Sequence, residues 1–158
     1  MNKLIKTMLI IVSILGFASC KPKANETESP VIRIGEFGSM TGSEATFGIS
    51  THRGIQMVID KVNAEGGIKG KKLELISLDD QGKPEEAMIA VTRLISQDKV
   101  DVILGEVASS RSLAAAPVAQ RNKVPMISPS STNPKVTEVG DYIFRVCFTD
   151  PFQGEVLA

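Results

Sequence analysis

The segment GEVASSRSLAAAP (residues 105–117) sets two serines and an arginine where an apolar run ends and a helical pattern begins. Backbone N–H groups in the first turn of a helix have no partner inside it, and the helix dipole favours an anion there. A serine hydroxyl at Ser109 or Ser110 adds one more donor, so a carboxylate could be held with no cationic side chain. The same Ser109 could equally do no more than cap its own helix. Three further segments are rich in small hydroxylated residues: GSMTGSEATFG (38–48), DDQGKP (79–84) and PSSTNP (129–134). Gathered on one edge of a sheet, the four would make a polar cleft.

Catalysis finds few candidates. The single histidine, His52, falls inside a helical stretch, where it reads as a solvated or packed helix residue. Serine or cysteine triads therefore lack a base, and no G-x-S-x-G elbow occurs. EGGIKGKK (65–72) has glycine spacing one short of a phosphate loop and no Ser or Thr after its lysine. It also runs from helix to strand, the reverse of what that loop needs, so it reads as a capping turn. Asp79 and Asp80 could bind a metal, but without a third ligand nearby they read as a solvated strand end. No catalytic residue, metal or cofactor is expected.

Strands alternating with helices must position these loops. VIRIGEF (31–37), KKLELISLDD (71–80), VDVILGEV (100–107), VPMISPSS (124–131) and DYIFRVCF (141–148) read as strands. Between about Ala45 and Glu65, Ile55, Val58, Ile59 and Val62 follow the spacing of one buried helix face, closed by Gly66 and Gly67. A second helix opens at Pro84 with two acids in its first turn and carries a stripe of Ala87, Val91, Leu94 and Ile95. A third covers SSRSLAAAPVAQRN despite Pro117, and DPFQGEVLA starts another. This alternation predicts an α/β fold, a doubly wound parallel sheet with helices on both faces. Ligands bind such sheets beyond the carboxyl ends of the strands.

At 158 residues, with 42% hydrophobic and 23% charged residues, the chain has room for one domain and one core. With six Phe, one Tyr and no Trp, it offers no stacking platform for single-stranded nucleic acid. Lys3 and Lys6 fall in the N-terminal leader, and without them acidic residues exceed basic ones by two, so a nucleic-acid partner is not expected. Residues 1–20 read as an export signal: a basic start, the ten-residue apolar run MLIIVSILGF, and small residues after it. FASC resembles the lipobox of bacterial lipoproteins, with Phe17 where Leu is usual, and this implies lipidation at Cys20 and a membrane anchor. Residues 21–30, KPKANETESP, read as a flexible tether. With Cys20 acylated, only Cys147 remains, among apolar neighbours in YIFRVCF, and it reads as a buried structural thiol.

GSMTGSEATFG, NAEGGIKGKKLEL, DDQGKPEEA, GEVASS, PMISPSSTNP and FRVCFTDPFQG occur in the order and spacing of the branched-chain amino-acid-binding proteins. These are periplasmic type I substrate-binding proteins of ABC importers, and the resemblance runs from about residue 31 to 158. It implies a two-lobed protein that closes on an amino acid and hands it to a transporter permease. By that resemblance, Ser109 holds the ligand α-carboxylate and Thr132 contacts both ends of the amino acid. Ser130 offers a backbone carbonyl to the α-ammonium, with Ser131 between the two. Phe47 stands where the family often has a tyrosine over the side-chain pocket, and lacks that hydroxyl.

Family members are more than twice this length, so residues 31–148 are expected to form the N-terminal ligand-binding lobe. Residues 149–158 are expected to start a truncated crossover helix. Two alternatives remain at this stage: a receptor or sensor ectodomain built on the same lobe, and a non-functional fragment. An enzyme on a Rossmann-like scaffold would need a nucleotide loop, which is not found.

Overall fold

The computed structural model describes residues 31–158. The expected export signal, Cys20 and the expected tether lie outside the described residues. Strand β1 (Val31–Gly38) alternates its side chains between two environments, as a strand with both faces covered must. Ile32 and Ile34 pack with helix α1 (Ala45–Ala64), while Phe37 joins a larger cluster on the opposite face. Strand β2 (Lys72–Asp79) follows the same rule, with Leu73 and Leu75 toward α1 and Ile76 and Leu78 away from it.

Helix α2 (Pro84–Ser96) begins where proline lacks the N–H that a first turn cannot use, with Glu85 and Glu86 on the positive end of its dipole. Its expected stripe is the buried one: Ala87, Val91 and Leu94 are fully enclosed, and Ile95 packs at their edge. Strand β3 (Val102–Leu104), helix α3 (Ser109–Asn122), strand β4 (Met126–Ser128), a short helix α4 (Lys135–Glu138), strand β5 (Ile143–Arg145) and helix α5 (Asp150–Leu157) complete the chain. The sheet is wholly parallel in the order β2-β1-β3-β4-β5. Helices α2, α3 and α4 cover one face through Leu94, Ala115, Ala119 and Val136, and α1 covers the other. Five parallel strands with helices on both faces are the architecture expected.

The last three strands are shorter than their apolar runs. Gly105, at φ 132°, turns the chain out of β3, and Pro125 and Pro129 bracket β4. Single ladder bonds continue beyond these limits, from Gly105 N–H to the Ile127 carbonyl and from Val146 N–H to the Ser128 carbonyl. Helix α4 carries no sequence signal long enough to be read, being four residues held by Val136 in the core. The α1 stripe also needs correction, because Val58 is 56% exposed. Over β5 that sheet face lies open, with Phe144 half exposed.

Candidate ligand-binding site at the carboxyl edge of the sheet

In the order 2-1-3-4-5, the helices that follow β1 and β3 leave the sheet on opposite faces. The loops after these two neighbouring strands therefore part and open a crevice, the usual ligand position in an open α/β sheet. The β1 loop (38–44), the β3 loop (105–108) and the β4 loop (129–134) all sit on this edge.

Helix α3 begins at this crevice. Its cap is Ala108, in extended conformation, and no side chain closes the helix end. Ser109 is thus not the capping residue, which removes the purely capping role left open by the sequence. Its hydroxyl instead accepts a hydrogen bond from the Asn133 N–H at 3.2 Å, joining the β3 and β4 loops. The N–H groups of the first turn stay available to an anion, with no acidic residue in that turn.

The arginine of this segment plays a different part. Arg111 is 5% exposed and points down into the protein. Its Nε lies 3.1 Å from Glu106 Oε1, its Nη2 is 2.5 Å from Glu44 Oε2, and its Nη1 donates to the Gly82 carbonyl at 3.3 Å. Burial opposes its charge, and Glu106 and Glu44 more than offset that, so its pKa moves up. The cation is consumed in joining three loops. What remains for a ligand is backbone and hydroxyl donors.

Beneath the crevice lies a polar network that sequence reasoning missed. The Glu106 carbonyl receives three hydroxyls: Ser128 at 2.7 Å, Ser131 at 3.0 Å and Ser112 at 3.1 Å. The Glu106 carboxylate accepts from the Ser39 hydroxyl at 3.1 Å and from the Ala108 N–H. Ser39 Oγ also lies 3.1 Å from Asp80 Oδ1, so the two carboxylates share its single hydroxyl proton. Asp80, read as part of a solvated strand end, is fully buried, a correction with a simple cause. Adjacent strand residues point to opposite sides, so Asp79 turns to Thr41 and the Met40 N–H while Asp80 turns inward. Burial pushes the Asp80 pKa up and Glu106 adds to this, against the Gly82 N–H, Ser39 and Arg111. For Asp79, burial also raises the pKa, but hydrogen bonds led by Thr41 outweigh it and the net shift is downward.

The remaining site residues fall on the same edge. Phe47 lies in the first turn of α1, 63% exposed. Behind it Gly48 sits so close to β1 that a Cβ would run into the Ser39 carbonyl. Ser130 is exposed and Thr132 half-buried. Ser131 is fully buried, with its hydroxyl turned inward to Ser112 and Glu106 rather than outward. Arg145 shapes this loop from below, donating to the carbonyls of Ser131, Asn133 and Pro134 and to Thr137 Oγ1. Cys147 is only partly buried, its thiol 3.4 Å from the Ser131 carbonyl. His52 leaves the crevice altogether: its Nδ1 lies 2.7 Å from buried Glu36 on the α1 face, where Ser77 also donates to Glu36. Among the described residues no cluster of three metal-ligating side chains exists.

Known proteins resemble this chain in sequence and fold. A Pseudomonas aeruginosa protein named amino acid binding protein is 40% identical over 78% of this chain and 33% of its own length. The structure of the branched-chain amino acid transporter substrate binding protein LivJ from Streptococcus pneumoniae, in complex with isoleucine, superposes with TM-score 0.78 at 37% identity. The match covers 80% of this chain and 36% of that one. A solute binding protein of an ABC transporter from Rhodopseudomonas palustris, in complex with 3,4-dihydroxybenzoic acid, gives TM-score 0.71 at 35% identity, over 76% and 32% of the two chains. The chain spans about a third to two fifths of the length of the curated relatives it matches. Residues 31–158 match the family described as periplasmic binding protein, with its parallel type I architecture, and the chain belongs to that family.

Proposed function

We propose that this chain is the carboxylate-holding lobe of an extracytoplasmic substrate-binding protein that serves an ABC transporter for amino acids, branched-chain or related. The observation that carries it is the uncapped start of α3 at the crevice, with the Ser109 hydroxyl tied to the β4 loop and Arg111 turned away. Two neighbours are solved with isoleucine and with 3,4-dihydroxybenzoic acid. The group common to those ligands is a carboxylate, which this helix start suits. Ser109 holds the carboxylate, Thr132 contacts both ends of the amino acid, the Ser130 carbonyl meets the amino end, Ser131 fixes the loop between them, and Phe47 lies over the side chain. A second lobe like the one the longer relatives have room for supplies the partner for the α-ammonium. Export by residues 1–20, with Cys20 as a lipid anchor near the permease, belongs to the same reading.

Calorimetry of purified residues 21–158 against leucine, isoleucine, valine and charged amino acids tests it. One lobe leaves the ammonium unpaired and the crevice wet, which costs about 2–5 kcal/mol relative to a closed site. The expected dissociation constants for the apolar amino acids run from about tens of micromolar to millimolar. No heat with any amino acid or aromatic acid at about ten times the upper limit would sink the reading.

A further inference from the structure

We propose that the outer face of α2 is a self-association surface whose partner is a second copy of this chain, related by a two-fold axis through Ile89. The proposal is independent of the ligand reading. Met88 and Ile89 stand 44% and 56% exposed on the side of α2 that faces away from the core, next to the exposed polar residues Glu85, Thr92 and Arg93. Ile89 forms a ridge between two grooves. One, of about 360 Å³, is lined by Met88, Thr92 and Val118 of α3, and the other, of about 270 Å³, by Leu78, Ala90 and Glu86.

Charge selects the partner. Glu85 lies four residues before Ile89 and Arg93 four residues after it, so all three share one stripe of the helix. Both charges are on the exposed face, Glu85 at the α2 start and Arg93 with a side chain 54% exposed beside Asp98. A copy of α2 laid antiparallel across this one brings Ile89 onto its own counterpart. The same operation places each Glu85 opposite the copy's Arg93, twice. A closed two-fold contact needs this self-complementary pattern, and a parallel copy would stack like charges instead. The ridge of each copy faces the grooves of the other, as helix packing requires.

The test uses the full chain with both native cysteines changed, Cys20→Ser and Cys147→Ser, and Ile89→Cys added as a cross-linking probe. Under a mild copper oxidant a disulfide dimer is expected on non-reducing gels. Glu85→Arg in that background should cut the dimer yield about 5- to 10-fold, since it makes two like-charge pairs per dimer. Glu85→Arg with Arg93→Glu should restore it. A probe on the opposite face, Met57→Cys, 69% exposed on α1, should cross-link no better than background. Absence of dimer at Ile89→Cys, equal dimer at Met57→Cys, or indifference to charge reversal would each overturn the proposal.

Discussion

Replacing Arg111 by methionine should destabilise the lobe far more than the loss of any surface ion pair. The substitution keeps most of the side-chain volume and deletes the guanidinium. It leaves Glu106, 1% exposed, without its cation and beside Asp80, whose own carboxyl is fully buried. What still faces the Glu106 carboxylate is the Ser39 hydroxyl, the Ser39 N–H at 3.3 Å and the Ala108 N–H, all neutral. Removing one partner of a buried pair costs about 3–5 kcal/mol, because the other charge stays behind. That is a large share of the roughly 5–15 kcal/mol that holds a domain together. The outer partner contributes little by comparison. Glu44 is about half exposed, so solvent screens its pair with Arg111, and Glu44→Ala should cost less than about 1 kcal/mol. Urea unfolding followed by far-ultraviolet circular dichroism measures these differences. The double variant Arg111→Met/Glu106→Gln, which also removes the Glu106 charge, should regain a large part of the loss. A single variant within about 1 kcal/mol of the parent, or a double variant no better than the single, would refute the reasoning.

The Asp80 carboxyl is raised above its ordinary 3.8 by burial, so the folded state holds that proton more tightly than the unfolded chain does. Its contribution is largest below the ordinary value and declines as pH rises through the raised pKa; Asp80→Asn should flatten stability over that window in pH-dependent unfolding. Gly48→Ala should cost about 1–3 kcal/mol in thermal or urea unfolding, because the Ser39 carbonyl lies where the methyl must go. Arg145→Met frees the β4 loop from three donated hydrogen bonds and α4 from a fourth, and the Ser131, Thr132 and Asn133 amides should exchange with deuterium at least about 10-fold faster than in the parent.

Periodicity made the elements legible where a clean stripe is buried, Leu73 and Leu75 on β2 and Ala87, Val91 and Leu94 on α2, and was less exact on α1, where Val58 is exposed. It gave no sign of α4, where a single residue, Val136, carries the packing. The loops could be found from their serines, but what each serine touches could not. Ser109 and Ser131 read alike in the sequence, yet one hydroxyl takes the Asn133 N–H and the other turns inward to the Glu106 carbonyl. Asp80 and Arg111 were hidden for a related reason. Ser39 lies 41 residues from Asp80 and Glu44 lies 67 residues from Arg111, and local pattern carries no record of such pairings. Glu106 itself sits in a run of apolar and small residues, where a single acid that interrupts a strand end was the available signal.

The uncapped start of α3 as a carboxylate site is tested most directly by amide chemical shifts. Nitrogen-15-labelled residues 21–158 would be titrated with leucine and, separately, with leucine methyl ester, which keeps the side chain and the amine but lacks the carboxylate. Leucine is expected to move the Ser109, Ser110 and Thr132 amides in a saturable way, and the ester to leave them in place. Ser109→Ala should raise the leucine dissociation constant about 10- to 100-fold, as loss of a hydrogen bond to a charged group implies. Equal shifts with the ester, or saturable leucine shifts confined to residues away from the crevice, would contradict the assignment.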